Sequence, residues 1–320
     1  MTSIFGQATS EDKHRGTRVN SVTYDILIQR IKQLGNLPAM PAVLGTLCAA
    51  LSQKSSQIDV DLVIRQISYD KSLAAQCLRM ANSALFRQRG DVATVKEAVL
   101  ALGLWRIRDL VFSCSLPMLF SNVKTTVGKE VFWRHALGTA VVAHGLGQEL
   151  GARYPEDIYL AGLLHDIGVL VNGVLFVEDF SDVLKSAAEK RLPLEKAEER
   201  ILGFTHAESG RILAELWRLP VEIAEVIEYH AEPWKQSPPN PTAVLVHAAD
   251  LACVKLGLGY VYEADSGEAS SLPRIWEGLG DQFPTARSFT EENSSELLCH
   301  LVGQAEKLAD HVFTPVMTTH

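Results

Sequence analysis

The run from Ile158 to Val177, IYLAGLLHDIGVLVNGVLFV, constrains this chain more than any other segment. It is apolar almost throughout, yet it carries His165-Asp166 at its middle. By length such a run could cross a bilayer. An aspartate near the centre of a spanning helix would cost roughly 2.5–3.5 kcal/mol even on the insertion scale most lenient to charge. The alternative with the smaller penalty is the central helix of a soluble bundle, in which the imidazole and the carboxylate form a buried polar site. Buried polar groups need partners, and a metal ion engages both groups at once. Everything then depends on whether the rest of the chain supplies further ligands.

Composition narrows the classes of function. The chain has 320 residues and a net charge of −8. That length is ample for a sizeable core. Arg106 and Arg108 are followed at once by Asp109, and Arg87 and Arg89 stand alone in a loop-like stretch. No basic stripe results, so nucleic acid is not an expected partner. Cys48, Cys77, Cys114, Cys253 and Cys299 are scattered without CxxC spacing. Such a set reads as reduced thiols in a cytoplasmic protein. Residues 1–20 are polar and lack an apolar leader, which predicts a disordered tail, and no membrane association is expected.

Almost every long segment has helical spacing and none alternates as a strand, so the expected class is all-α. Asp70 is placed to cap a helix with Leu73, Ala74, Cys77, Leu78 and Ala81 on its apolar side. A helix is expected over Val131–Leu150. Thr205 and Glu208 form a capping box that opens a helix ending near Arg218-Leu219-Pro220. The next helix runs to about His230, another spans about 242–257, and the last covers about 290–312. Residues 262–286 are rich in Gly, Ser and Pro and read as a loop.

Ten histidines are few enough to weigh singly. His14, His311 and His320 lie in or near the ends, and His300 reads as helix surface. His135 and His144 share a helix but are nine positions apart, which puts them on opposite faces. His135, following Phe132-Trp133, is the ligand candidate. His206 stands in the first turn of its capped helix. His230 stands at a helix C-terminus, where the dipole alone would explain an imidazolium. His247 and Asp250 share one face of an apolar helix and could satisfy each other. The candidates, in order, are His135, His165, Asp166, His206, His230 and Asp250. A mixed imidazole and carboxylate set suits iron, manganese, zinc or nickel, as one or two divalent ions.

This order resembles the HD superfamily of metal-dependent phosphohydrolases, whose signature is a His, a His-Asp pair and a distant Asp. His206 and His230 resemble the additional ligands of its binuclear branch, which includes the HD-GYP phosphodiesterases. Leu37-Pro38-Ala39-Met40-Pro41, Asp70-Lys71-Ser72-Leu73-Ala74, Ala81-Asn82-Ser83-Ala84, and Val95-Lys96-Glu97-Ala98-Val99 with Leu102-Gly103 are similar to an HDOD domain. That resemblance covers roughly residues 24–260. It implies an N-terminal helical lobe (21–122) packed on an HD-like metal-site bundle (123–260), with 261–320 as a C-terminal loop and helix. It also implies a bacterial signal-transduction module that acts through a protein partner or a small ligand.

The chain departs from active HD-GYP enzymes at two places. Val169 follows Gly168 where they carry a lysine, and Tyr229-His230 stands where they carry paired histidines. Losing a fixed cation near substrate phosphate can cost on the order of a hundredfold in rate. Three readings therefore remain open. One is a regulatory module with a metal site. The second is a phosphohydrolase in which Asp166 bridges two ions. The third is a hydrogen-bonded polar core without metal. Oligomeric state is open.

Overall fold

Helix α5, Lys129–Glu149, is buried on nearly every side and organises the molecule. A helix that is apolar all round belongs in a core rather than on a surface. The structure, a computed structural model, describes residues 27–31, 37–52, 59–87, 90–153, 155–260 and 272–317. The expected tail, 1–20, lies outside these. Among the described residues there are helices and turns but no strand. The fold is all-α.

The first described residues, 27–31, are helical; α1 (Ala42–Ser52), α2 (Val60–Tyr69) and α3 (Lys71–Ala81) follow and gather around α4 (Val95–Leu119). Asp59 caps α2, and Asp70 caps α3 by accepting from Ser72 N and Leu73 N, as its position predicts. Asn82 closes the turn between α3 and α4: its amide accepts from Val92 N at 2.8 Å and donates to Val92 O at 2.9 Å. Helix α4 bends at Gly103, whose φ of 76° lies in the left-handed region open to glycine. Beyond the bend, Ile107 to Leu116 are buried without a break, and α4 packs on α5 and α6 (Pro155–Leu164). One continuous apolar core therefore joins the first helices to the rest.

The remaining elements complete the bundle. After α6 come α7 (Ile167–Leu175), α8 (Val177–Lys190), α9 (Leu194–Ile201), α10 (His206–Leu216), α11 (Val221–Tyr229) and α12 (Pro241–Cys253). Helices α6 and α12 lie against α5, while α10 packs on α7 and α11. Helix α12 gives way to a wide turn, Val254–Leu258, earlier than its apolar pattern predicts. Of the stretch read as a loop, residues 262–271 lie outside the described set, but Leu272–Gln282 forms a helix, α13. Its glycines are accounted for by packing rather than flexibility. A Cβ on Gly278 would come within 3.0 Å of Trp234, and neighbouring Leu279 is fully buried. Tertiary contact overrides propensity here. The last helix, α14 (Glu291–Met317), lies along α5 and reaches α3, where His311 bonds the carbonyl of Arg79.

The apolar run differs most from expectation. It is not one helix: α6 ends at Leu164 and α7 starts at Ile167, with Asp166 at φ −99°, ψ 12°. The stretch Asp157–Leu175 is long and apolar enough to cross a membrane, yet protein encloses all of it. It is a core element broken at its polar centre.

Candidate metal centre

That break brings two adjacent side chains into one site. On a continuous helix, neighbours in sequence point about 100° apart. Across the α6–α7 junction, His165 and Asp166 both face the interior. His135 arrives from the middle of α5, His206 from the first residue of α10, His230 from the C-terminal end of α11 and Asp250 from α12. The structure thus brings all six sequence candidates together. His135 and His165 are fully buried, and His206, His230 and Asp166 nearly so. Asp250 keeps 17% of its side chain exposed and forms the solvent side of the cluster.

Each imidazole is held by its Nδ1. His135 bonds Leu258 O at 2.9 Å, His165 bonds Gly162 O at 2.7 Å and His230 bonds Ile227 O at 2.8 Å. His206 instead bonds the Glu198 carboxylate at 2.8 Å. Carbonyl and carboxylate oxygens only accept, so each Nδ1 carries the proton and a neutral ring keeps its lone pair on Nε2. Those four Nε2 atoms all turn inward. His135 and His165 face each other at 3.3 Å, and His206 and His230 at 3.4 Å. Asp166 sits between the pairs. Its Oδ2 lies 3.7 and 3.5 Å from His135 and His165, and its Oδ1 lies 3.4 and 3.1 Å from His206 and His230. Asp250 Oδ1 lies 3.2 Å from His135 Nε2 and 3.9 Å from His165 Nε2.

Glycines permit this convergence. Gly162 lets α6 cross α5 at backbone contact: a Cβ there would meet Ala140 Cα at 2.9 Å. Gly168 does the same for α7 and α10, because its Cβ would lie 1.8 Å from His206 O. The capping box fixes the start of α10, with Thr205 N donating to Glu208 at 2.8 Å.

Sequence reasoning missed the supporting layer. Glu198, Asn172 and Ser209 are fully buried and hydrogen-bonded in series. In LEKAEERI, Glu198 looks like any acid on an amphipathic helix, and no local signal marks it out. His247 also belongs to this layer. Its pairing with Asp250 is not formed: His247 Nδ1 donates to His230 O at 2.9 Å, while Asp250 turns to His135. His144 stands apart, its ring 6.3 Å from that of Tyr159.

Burial and charge act oppositely on these groups. Burial pushes the His165 imidazolium down to about 4, only partly offset by Asp166, so its ring is neutral at neutral pH. Burial would raise Asp166, but His165, His206 and His230 hold it well below the usual carboxylate range. Asp250 is likewise lowered, chiefly by His135 acting against burial. His206 rises above the ordinary imidazole range because Glu198 and Asp166 outweigh its burial.

An all-α bundle that gathers four imidazoles and two carboxylates from five separate places in the chain defines a His/Asp-cluster protein of the HD type. The chain belongs to the HDOD domain family, whose model matches residues 37–233. It is similar in structure to an HDOD domain protein of unknown function from Geobacter sulfurreducens, with a TM-score of 0.75 at 25% identity, covering 92% of this chain and 99% of that one. A chain from Shewanella amazonensis SB2B, named as a candidate phosphohydrolase, shares the fold at TM-score 0.69 and 24% identity, covering 89% of this chain and 97% of that one. So does one from Marinobacter aquaeolei VT8 named as a candidate signal transduction protein, at 0.69 and 22%, covering 91% of this chain and 65% of that one. An uncharacterised protein of Treponema pallidum (strain Nichols) is 25% identical over 217 residues, 68% of this chain. The chain spans 42% of that relative's length.

Proposed function

We propose that the chain is a regulatory HDOD module of signal transduction, whose His/Asp cluster holds divalent transition metal and which acts through a protein partner or a small ligand. One observation carries the metal assignment. His135 and His165 turn their Nε2 atoms toward each other at 3.3 Å while both Nδ1 protons are engaged by backbone carbonyls, and Asp166 stands between this pair and the Nε2 atoms of His206 and His230. Facing lone pairs repel unless a cation lies between or beside them. Metal–ligand distances of about 2.0–2.2 Å place neighbouring donors of one ion roughly 3 Å apart, close to the spacings observed. Asp250 Oδ1 adds a buried acceptor with no aligned hydrogen-bond donor. A metal-free polar core would leave that oxygen unsatisfied, at the cost attached to any buried polar group without a partner.

His135, His165, Asp250 and Asp166 Oδ2 would hold one ion, and His206, His230 and Asp166 Oδ1 a second. Iron, manganese, zinc and nickel all suit such donors. The division of the Asp166 oxygens between the two pairs favours, as a second reading, a phosphohydrolase of the HD type. Bound metal would supply Lewis-acid polarisation of a phosphate ester and an activated water. The regulatory reading has the stronger support because Val169, fully buried and apolar, supplies no cation where active relatives of the HD-GYP type carry a lysine. A relative in fold named as a candidate signal transduction protein points the same way.

Metal analysis after anaerobic purification and reconstitution tests the proposal. Near-stoichiometric iron, manganese, zinc or nickel is expected, and Asp166→Ala should lose it, since that carboxylate serves both halves. A metal-free wild type would sink the assignment. Hydrolysis of nucleotides or cyclic dinucleotides that Asp166→Ala abolishes would replace the regulatory reading with the enzymatic one.

A further inference from the structure

The two halves of the cluster are unequal. The Nε2 atoms of His135 and His165 lie within 4 Å of two carboxylates, Asp166 and Asp250, whereas among the described residues those of His206 and His230 lie within 4 Å of Asp166 alone. The halves also differ in how their rings are anchored. Three Nδ1 atoms donate to backbone carbonyls, but His206 donates to a carboxylate. We propose that Glu198 is the positioning residue that enables the three-donor half, His206, His230 and Asp166 Oδ1, to hold a second metal ion. The inference rests on the metal-binding reading above.

Three observations support it. First, Glu198 Oε2 accepts from both the Nδ1 and the backbone N–H of His206, each at 2.8 Å. The ring and its backbone are thereby held by one atom, and rotating the ligand away would break two bonds. Second, Glu198 is itself immobilised. Its Oε1 accepts from Asn172 Nδ2 at 2.9 Å, and Asn172 Oδ1 accepts from the Ser209 hydroxyl at 2.6 Å. The chain of bonds crosses α9, α7 and α10. Third, Glu198 is fully buried, and among the described residues no lysine or arginine pairs with it. Its countercharge among those residues comes from the His206 ring alone, paired with it at 2.8 Å, and a buried carboxylate left unpaired would be costly. A cation on His206 Nε2 would compensate it through the ring. In return the carboxylate makes the imidazole a stronger donor, as outer carboxylates do for metal-bound histidines.

The consequence is selective. Glu198→Gln keeps an oxygen for His206 and turns its amide toward Asn172, which can flip to accept it and donate to Ser209. The network stays satisfied, so only the charge is lost. Full-length wild type and variant, stripped of metal and matched in melting temperature, are titrated anaerobically with Mn²⁺ and with Zn²⁺ by calorimetry, with stoichiometry checked by elemental analysis. Wild type is expected to take two ions per chain. Glu198→Gln should bind the first unchanged and the second 10–100-fold more weakly. Glu198→Asp keeps the charge but shortens the reach, and is expected to weaken the second ion only. It decides the matter should Glu198→Gln fail to fold.

Two ions bound by a variant with wild-type affinities would overturn the role of Glu198 while leaving the metal centre intact. So would equal weakening of both ions, which marks a general structural role, or a wild type that takes only one. A wild type that binds no metal would remove the underlying reading as well.

Discussion

Gly168 is the tightest point of the site, and its tightness is a matter of one missing carbon. A Cβ there would lie 1.8 Å from His206 O and 2.7 Å from Gly210 N, both backbone atoms that cannot swing aside. Overpacking a core commonly costs 1–3 kcal/mol and occasionally more. Gly168→Ala should therefore lose about 3 kcal/mol or more and part α10 from α7, carrying His206 away from Asp166. Gly303, on α14, has nothing within 4 Å of an added Cβ. Gly303→Ala should be neutral or stabilising, by up to about 1 kcal/mol. Denaturant unfolding of the two variants checks the contrast, and similar losses for both would refute it. At this scale the members of the cluster were legible because His and Asp are conspicuous in apolar helices. Glu198 was not, since an acid on α9 reads as surface until α7 and α10 are laid over it.

Helix starts were equally legible. Asp70 and Thr205 each cap the helix that follows, as their positions predict, because a side-chain oxygen satisfying an orphan N–H is a local interaction; Thr94 and Asn240, not read as caps, do the same. The cap at Thr205 also sets the direction from which His206 enters the site. Thr205→Ala should cost about 1 kcal/mol of stability, with metal affinity falling further for the His206 half than for the His135 half. Thermal unfolding together with metal titration reads both effects, and a stability loss with the two ions unaffected would separate the cap from the site. Breaks inside apolar stretches were less legible. The α6–α7 junction interrupts a run whose composition favours continuation. Its cause is long-range: Gly162 of α6 packs against the backbone of α5, and Gly168 of α7 against the backbone of α10. Helix α13 is the converse case, a helix made from glycine-bearing sequence by packing on Trp234 and Phe289.

Over the whole molecule, an ion pair between buried Arg108 and partly exposed Asp157 joins the first helices to the bundle. Arg108 bonds Asp109 within α4 and Asp157 on α6, each at 3.0 Å. Burial pushes the Asp109 carboxyl up to about 7, with Arg108 opposing and Asp157 adding to the rise. The unfolded chain releases that proton near pH 3.9. Between the two values the folded state binds more protons, so this group's contribution to stability falls as pH rises from about 4 to about 7, by at most about 1.4 kcal/mol per pH unit. Asp109→Asn removes that slope. Denaturant unfolding at pH 5 and pH 8 should show wild type losing more stability than the variant. Equal losses would show that Asp109 is already ionised at pH 5.

The sequence by itself determined the all-α class, the caps at Asp70 and Thr205 and the six residues of the cluster, because periodicity, capping and residue chemistry are local properties. It also carried the phrases that place the chain in the HDOD family. Only the tertiary structure decided that His165 and Asp166 share a site across a helix break, and that His247 supports His230 rather than pairing with Asp250. It alone revealed that Glu198 is buried behind His206, and that α14 lies along α5. These facts depend on which helix faces meet, and that is set by steric fit between residues far apart in the chain.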